Sequence, residues 1–155
     1  MPRPRRPRRI YGPPRFRHFK PVGVPRRLLD TVTLTVDEYE AVRLADYEGL
    51  DQQPASERMN ISRTTFSRLV DGARRKLAAI LIEGKELRIE GGDVDFAHTL
   101  QLCRDCGDEE LRETAVADEG TDSDEACPAC GSENVEDLAL AAMRGRGGRG
   151  RRQGS

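Results

Sequence analysis

The sequence predicts a mainly α fold, a helix-turn-helix domain followed by a small β zinc ribbon, with basic termini expected to be disordered. Three observations predict it. From Ser62 onward, Phe66, Leu69, Val70, Ala73 and Leu77 recur on one face of a 3.6-residue turn. Before them, Leu50 to Met59 reads as a short helix, Asn60-Ile61 as a tight turn and Ser62 as the cap of the next helix. Beyond them, Cys103/Cys106 and Cys127/Cys130 form two Cys-x-x-Cys pairs separated by twenty residues. The divisions that follow are a Pro/Arg-rich arm at 1–27, the helix-turn-helix domain at 28–92, the ribbon at 93–142 and an Arg/Gly-rich tail at 143–155.

Composition sets the scale of these units. Charged residues make up 34% of the chain and aromatics only 5%, so neither core can be large. The net charge of -1 conceals segregation: residues 1–27 carry nine Arg and one Lys with no acid, while 93–138 carry fifteen acids against Arg104 and Arg112. No apolar run approaches the ~18 residues of a membrane span, and no signal-peptide pattern appears. A cytoplasmic protein without a membrane partner is expected.

In the arm, Pro2, Pro4, Pro7, Pro13 and Pro14 remove backbone donors and favour extended chain. Its arginines can neutralise phosphates or enter a narrow minor groove, or they can simply solubilise the chain. Tyr11, Phe16, His18 and Phe19 are expected to pack the arm's end onto the helical domain. Val32 and Leu34 then alternate with threonines in an extended segment. Thr35 caps the first helix and Glu38 completes a capping box. Tyr39, Val42 and Ala45 form one apolar face, whereas Leu44 and Tyr47 point nearly opposite and need a cover, either the preceding segment or the second subunit of a homodimer. The acids of this helix read as a solvated surface.

In the helix-turn-helix, Asn60 suits the left-handed conformation of a sharp reversal, and Ala55 and Ser56 let two helices approach closely. Arg63, Thr64, Thr65, Ser67 and Arg68 would project toward a major groove, with Arg75 farther along reaching backbone. A solvated helix face is the plainer alternative. Leu34-Thr35-Val36-Asp37-Glu38, Glu48-Gly49-Leu50, Glu57-Arg58-Met59, Ser62-Arg63, Ala73-Arg74-Arg75-Lys76 and Glu83-Gly84-Lys85 together resemble a prokaryotic family catalogued as domain of unknown function one hundred and thirty-four. The resemblance reaches upstream to Met1-Pro2-Arg3-Pro4-Arg5 and Phe19-Lys20-Pro21 and ends near Gly92. It implies a helix-turn-helix like the promoter-reading one of sigma factors, and hence DNA binding. Asn60 stands where that family usually has Gly, and Pro54 where it tends to have Glu.

Leu87-Arg88-Ile89 reads as a short strand between Glu83-Gly84 and Gly91-Gly92. Val94, Phe96, His98, Leu100 and Leu102 then alternate with Asp95, Ala97, Thr99 and Gln101, which predicts a strand ahead of Cys103 with His98 packed on its apolar face. The paired cysteines have the spacing of a four-thiolate site, and Gly107 and Gly131 let each knuckle turn back. The pattern resembles a zinc ribbon. Redox-active Cys-x-x-Cys would occur once at a helix start, and disulfides are disfavoured in the cytoplasm. A rubredoxin-type iron site would use the same ligands. Four thiolates close a tetrahedral shell, so a structural Zn(2+) rather than a catalytic one is expected. The acids between the knuckles point the ribbon toward a protein partner or the basic arm.

These readings converge on a sequence-specific protein of double-stranded DNA, a transcriptional regulator. No Gly-rich phosphate loop, nucleophile-base arrangement or open metal site marks an enzyme. The alternatives are an RNA-binding or ribosome-associated protein using its Arg-rich tails, and an adaptor of RNA polymerase acting through the ribbon.

Overall fold

A computed structural model describes residues 7–113 and 126–144. Two short strands, β1 (Arg8–Ile10) and β2 (His18–Phe19), and a tight 3-10 turn at Arg26–Leu28 lead to β3 (Thr31–Leu34). Three helices follow, α1 (Val36–Val42), α2 (Gln52–Arg58) and α3 (Arg63–Glu83). The chain then returns through β4 (Glu86–Ile89), β5 (Val94–Phe96), β6 (His98–Cys103) and β7 (Glu109–Glu113), and the described part ends in β8 (Val135–Asp137) and α4 (Leu138–Arg144).

Four α-helices and three small sheets among the described residues make this a mixed α and β architecture, which corrects the mainly α fold expected from sequence. β1, β2 and β7, of two to five residues, contribute too few repeats for their period to be seen. β3 and β4 pair in parallel, with β2 antiparallel on the other side of β4, so α1 to α3 form the crossover between two parallel neighbours. β1 and β5 close a second parallel pair around that unit. β6 is the centre of an antiparallel sheet with β7 and β8 on its flanks.

The arm is therefore ordered from residue 7, against the expectation of a disordered basic N-terminus. Ile10 is fully buried, in one apolar cluster with Leu34, Phe66, Val70, Phe96, Ala139 and Ala142. That cluster joins residues from all three sheets' surroundings and from both the helical and the cysteine-bearing segments. Most of the Arg/Gly-rich tail (145–155) and most of the acidic stretch between the cysteine pairs (114–125) lie outside the described residues.

Local signals hold where they rest on hydrogen bonds. The Glu38 N–H donates to Thr35 Oγ1 and the Thr35 N–H to Glu38 Oε2, the reciprocal capping box. The Thr65 N–H donates to Ser62 Oγ at 3.2 Å, and Gly84 ends α3 in the left-handed conformation. Asn60 makes the turn before α3 with φ of 55°.

Phase is where the sequence misleads. After α1 the helix widens into a π turn at Arg43–Tyr47, where the Glu48 N–H reaches back to Arg43 O. Leu44 is fully buried within its own chain, in line with Val36, Glu40 and Ala41 at ordinary helical spacing, and the extra residue turns Tyr47, three positions on, outward to 88% exposure. The acids of α1 are likewise not a solvated face. Asp37 and Glu40 are both 2% exposed; Asp37 pairs with Arg8, and Glu40 accepts from Arg43 and from the Tyr11 N–H. In the second unit the predicted strand breaks at Ala97, and beyond the break Thr99, Gln101 and Cys103 face inward in place of Leu100 and Leu102. Thr99 tolerates burial because its hydroxyl donates to Asp137 Oδ1 at 2.5 Å.

Gly91 and Gly92 carry the chain across the start of α1, where the Val36 N–H donates to Gly91 O at 3.0 Å. Gly92 has φ of +99°, and a Cβ there would meet Asp37 Oδ1 at 2.8 Å. Gly92→Ala should therefore lower stability by about 1–3 kcal/mol. Gly12→Ala, where the nearest atom to a new Cβ is 3.7 Å away, should cost no more than about 0.5 kcal/mol. Urea midpoints of the two variants check the difference.

Candidate metal centre and nucleic-acid interface

Each cysteine pair sits on a knuckle built by the same backbone hydrogen bonds. In the first, between β6 and β7, the Cys103 N–H donates to Asp108 O and the Gly107 N–H to Cys103 O. In the second, ahead of β8, the Cys127 N–H donates to Ser132 O and the Gly131 N–H to Cys127 O. Gly107 (φ 78°) and Gly131 (φ 72°) supply the reversal that ends each knuckle. Asp105 ties one knuckle to the other, accepting from Ser132 Oγ and, at 3.0 Å, from Asn134 Nδ2. Those donors hold its carboxyl below the usual range.

The knuckles bring all four sulfurs together. Cys103 and Cys130 Sγ are 3.6 Å apart, as are Cys106 and Cys127 Sγ, far beyond a disulfide bond. All four lie within 4.8 Å of one another. Sulfurs about 2.3 Å from a common ion at tetrahedral angles would be about 3.8 Å apart, so the set fits a single four-coordinate metal. Cys103 and Cys127 are buried, Cys106 and Cys130 exposed.

Charge in the cluster points the same way. Hydrogen bonding from the Cys106 backbone N–H lowers the Cys103 thiol to about 7. The Asp108 N–H acts to lower Cys106 as well, but the adjoining Cys130, Cys103 and Cys127 sulfurs prevail and push it up to about 12. One thiolate is stabilised by the backbone and further ones repel it. A cation among the sulfurs removes that repulsion, which is why such ligands release protons as they bind metal.

The helix-turn-helix residues are distributed less evenly. Arg63, Thr64, Arg68 and Arg75 are exposed on α3, with Thr64, Arg68 and Arg75 on one stripe at i, i+4 and i+11 that also carries the exposed Asp71 at i+7. Thr65 turns to the cap instead, its Oγ1 2.8 Å from Ser62 Oγ. Ser67 lines a cleft against the start of α2 with Gln52, Asp71 and Arg74. Arg75 lies about 10 Å along the axis from Arg68.

Sequence reasoning expected the arm's end on the helical domain and left the arm as one destination for the ribbon's acids, but it did not find the individual contacts. The Arg9 N–H donates to Met59 O at 3.1 Å, so the chain passes beside the turn that precedes α3. Arg15 pairs with Glu109 of β7, and Arg17 donates to Ala141 O at 2.7 Å. Of the two destinations considered for the ribbon's acids, the basic arm takes Glu109 and lies 3.9 Å from Glu136. His98 is satisfied as expected, with Nδ1 3.2 Å from Tyr11 O and its ring 4.8 Å from that of Tyr11. The segregation of charge between residues 1–27 and 93–138 was the available signal. No helix of the described residues is long and apolar enough to cross a membrane.

Comparison with known proteins assigns the family. A family profile described as "Protein of unknown function DUF134" matches residues 1–97. A "UPF0251 protein" of Chloroherpeton thalassium is 49% identical over 153 residues, spanning 99% of this chain and 97% of its own. One from Halothermothrix orenii is 42% identical over 137 residues, spanning 88% and 100%. Another, from Moorella thermoacetica, is 43% identical over 152 residues, spanning 97% and 92%. No solved structure matches at a significant level. With the profile covering more than half of the sequence and these relatives aligned along nearly all of it, the chain belongs to the DUF134/UPF0251 family.

Proposed function

We propose that this protein binds duplex DNA in a sequence-specific manner as a transcriptional regulator, reading the major groove with α3 and holding a structural zinc ion between its four cysteines. One observation carries the DNA reading. Arg63, Arg68 and Arg75 on α3 make no ion pair among the described residues, whereas Arg74 of the same helix pairs with Asp46, and Arg8, Arg15, Arg17, Arg26 and Arg43 are each matched to an acid. In a chain with 27 acids, a helix that keeps these three arginines unpaired, with Asp71 the one acid among them, offers cations suited to guanine edges and phosphate. The turn that aims this helix is the short left-handed one at Asn60, with Ala55 and Ser56 buried where α2 meets α3.

The arm supports the same reading. The Arg9 N–H is fixed to Met59 O, beside the turn that precedes α3, and Arg3, Arg5 and Arg6 precede it in the sequence. Those three arginines follow the phosphates or the adjoining minor groove. Replacing all three with serine should reduce the salt slope of duplex binding by up to about 3, near one per lost phosphate contact, and leave the preference for one sequence intact.

Thr64 and Arg68 then read bases, and Arg75 touches backbone. Arg68→Ala should cost about 1–3 kcal/mol on a preferred duplex and much less on random DNA, while Arg75→Ala weakens both alike. Titrations of each folded variant on both duplexes check this. Equal losses everywhere would make α3 a basic surface and end the sequence-specific reading. For the metal, elemental analysis of purified protein should give about one zinc per chain, lost in Cys130→Ser. Four freely alkylated thiols with no bound metal would overturn the centre, and a coloured protein containing iron would change its identity.

A further inference from the structure

Residues 8–19 form a strap that touches both halves of the molecule. On the helical side, Arg8 pairs with Asp37, the Arg9 N–H donates to Met59 O, and the Tyr11 N–H donates to Glu40 Oε1 at 3.2 Å. His18 and Phe19 add the β2 edge to β4. On the cysteine side, the Ala97 and His98 N–H groups donate to Ile10 O at 2.8 Å and Tyr11 O at 3.0 Å. Arg15 reaches Glu109 in β7, and Arg17 reaches Ala141 O in α4 and Glu136 in β8.

The cysteine-side anchors have little to hold them locally. β8 is three residues long and α4 seven, and neither a short strand pair nor a two-turn helix is stable alone in water. β8 is tied to β6 at Gln101, Leu102 and Cys103. Cys103 is the last residue of β6 and Cys130 lies five positions before Val135, so an ion shared by the four sulfurs staples the two strands together at their cysteine ends. α4 follows β8 directly and sends Ala139 and Ala142 into the cluster that contains Ile10. A continuous path of packed residues thus runs from the sulfurs through β8 and α4 to the strap, and from the strap to Met59 at the turn before α3.

We propose that the metal-loaded cysteine centre keeps the strap at residues 8–19 clasped to the helix-turn-helix, so that metal occupancy controls whether Arg9 stays held at the turn before α3. The clasp rests on the metal reading above, and its effect on duplex affinity rests also on the DNA reading. In the metal-free chain β8 and α4 loosen, Arg15 and Arg17 lose their partners, and the strap frays from the cysteine side inward. The helices of the crossover keep their own core.

Hydrogen exchange on the full chain, metal-loaded and then stripped with a chelator, tests the clasp without DNA. The amides of Arg9, Ala97 and His98 should exchange at least about tenfold faster without metal, while those of residues 70–77 in α3 change by less than about twofold. The double variant Arg15→Ala/Arg17→Ala should retain its metal and still show part of that acceleration. Fast exchange at Leu102 and Val135 with no change at Arg9, Ala97 and His98 would overturn the clasp and leave the metal reading standing. Loss of protection throughout α3 would also overturn it, because the ion would then hold the whole fold. Absence of metal from the purified protein overturns both readings at the first measurement. In duplex titrations, chelation should weaken binding in the natural chain and have little further effect once Arg3, Arg5 and Arg6 are serine. An equal loss in both backgrounds would overturn the arm as the route, and a loaded protein that binds no duplex would fail the DNA reading while exchange still decides the clasp.

Discussion

The parallel pairing of β3 with β4 is the constraint on which the rest of the structure depends. Parallel neighbours cannot be joined by a tight turn, so the chain leaving Leu34 must travel back along the sheet before it can enter Glu86. Everything between them is that return path. Its two ends are specified sharply, by the Thr35 capping box directly after β3 and by left-handed Gly84 two residues before β4. Within those limits α3 is long enough to cross the unit, burying Phe66, Val70 and Ala73 against the sheet and α1 while its far side stays in solvent. The β1–β5 pair repeats the constraint one layer out, which makes a nominal tail part of the fold.

Charge is organised on the same plan. The basic N-terminal segment is brought into contact with acids of α1, β7 and β8, so these charges cancel locally as well as in the sum over the chain. Two of those acids, Asp37 and Glu40, are removed from water, where an unpaired carboxylate would be strongly disfavoured. Arg8 and Arg43 are thereby fixed as structural cations. Arg63, Arg68 and Arg75 of α3 have no such partners among the described residues, although Arg74 of the same helix pairs with Asp46, and the distinction between the two sets is visible only once the chain is folded.

What could be read from the sequence was what depends on neighbours in the chain. Ser62, Thr35 and Glu38, Asn60, Gly84 and the two Cys-x-x-Cys knuckles all act through hydrogen bonds or dihedral preferences spanning five residues or fewer, and each lies where expected. Facing and pairing were harder. The exposure of Tyr47 depends on one wide turn that shifts the phase of a helix by a residue, and the inward side of β6 depends on a break at Ala97. Neither leaves a mark on hydrophobic periodicity. The arm failed for a different reason: Pro and Arg favour extended chain, which is equally the conformation of a free tail and of an edge strand, and only the distant partners Val94, Phe96 and Leu87 decide between them.

The likeness of the two knuckles has a consequence for how the cysteine centre forms. Each closes on itself through its own pair of backbone hydrogen bonds, so each presents two sulfurs as a finished half. Joining the halves then requires one loop closure, with most of the conformational entropy of the ligands already spent in folding the turns. Closure entropy grows only with the logarithm of length, about 0.6 kcal/mol for each doubling, so the segment linking Cys106 to Cys127 can vary widely in length and composition while the geometry at the sulfurs stays the same.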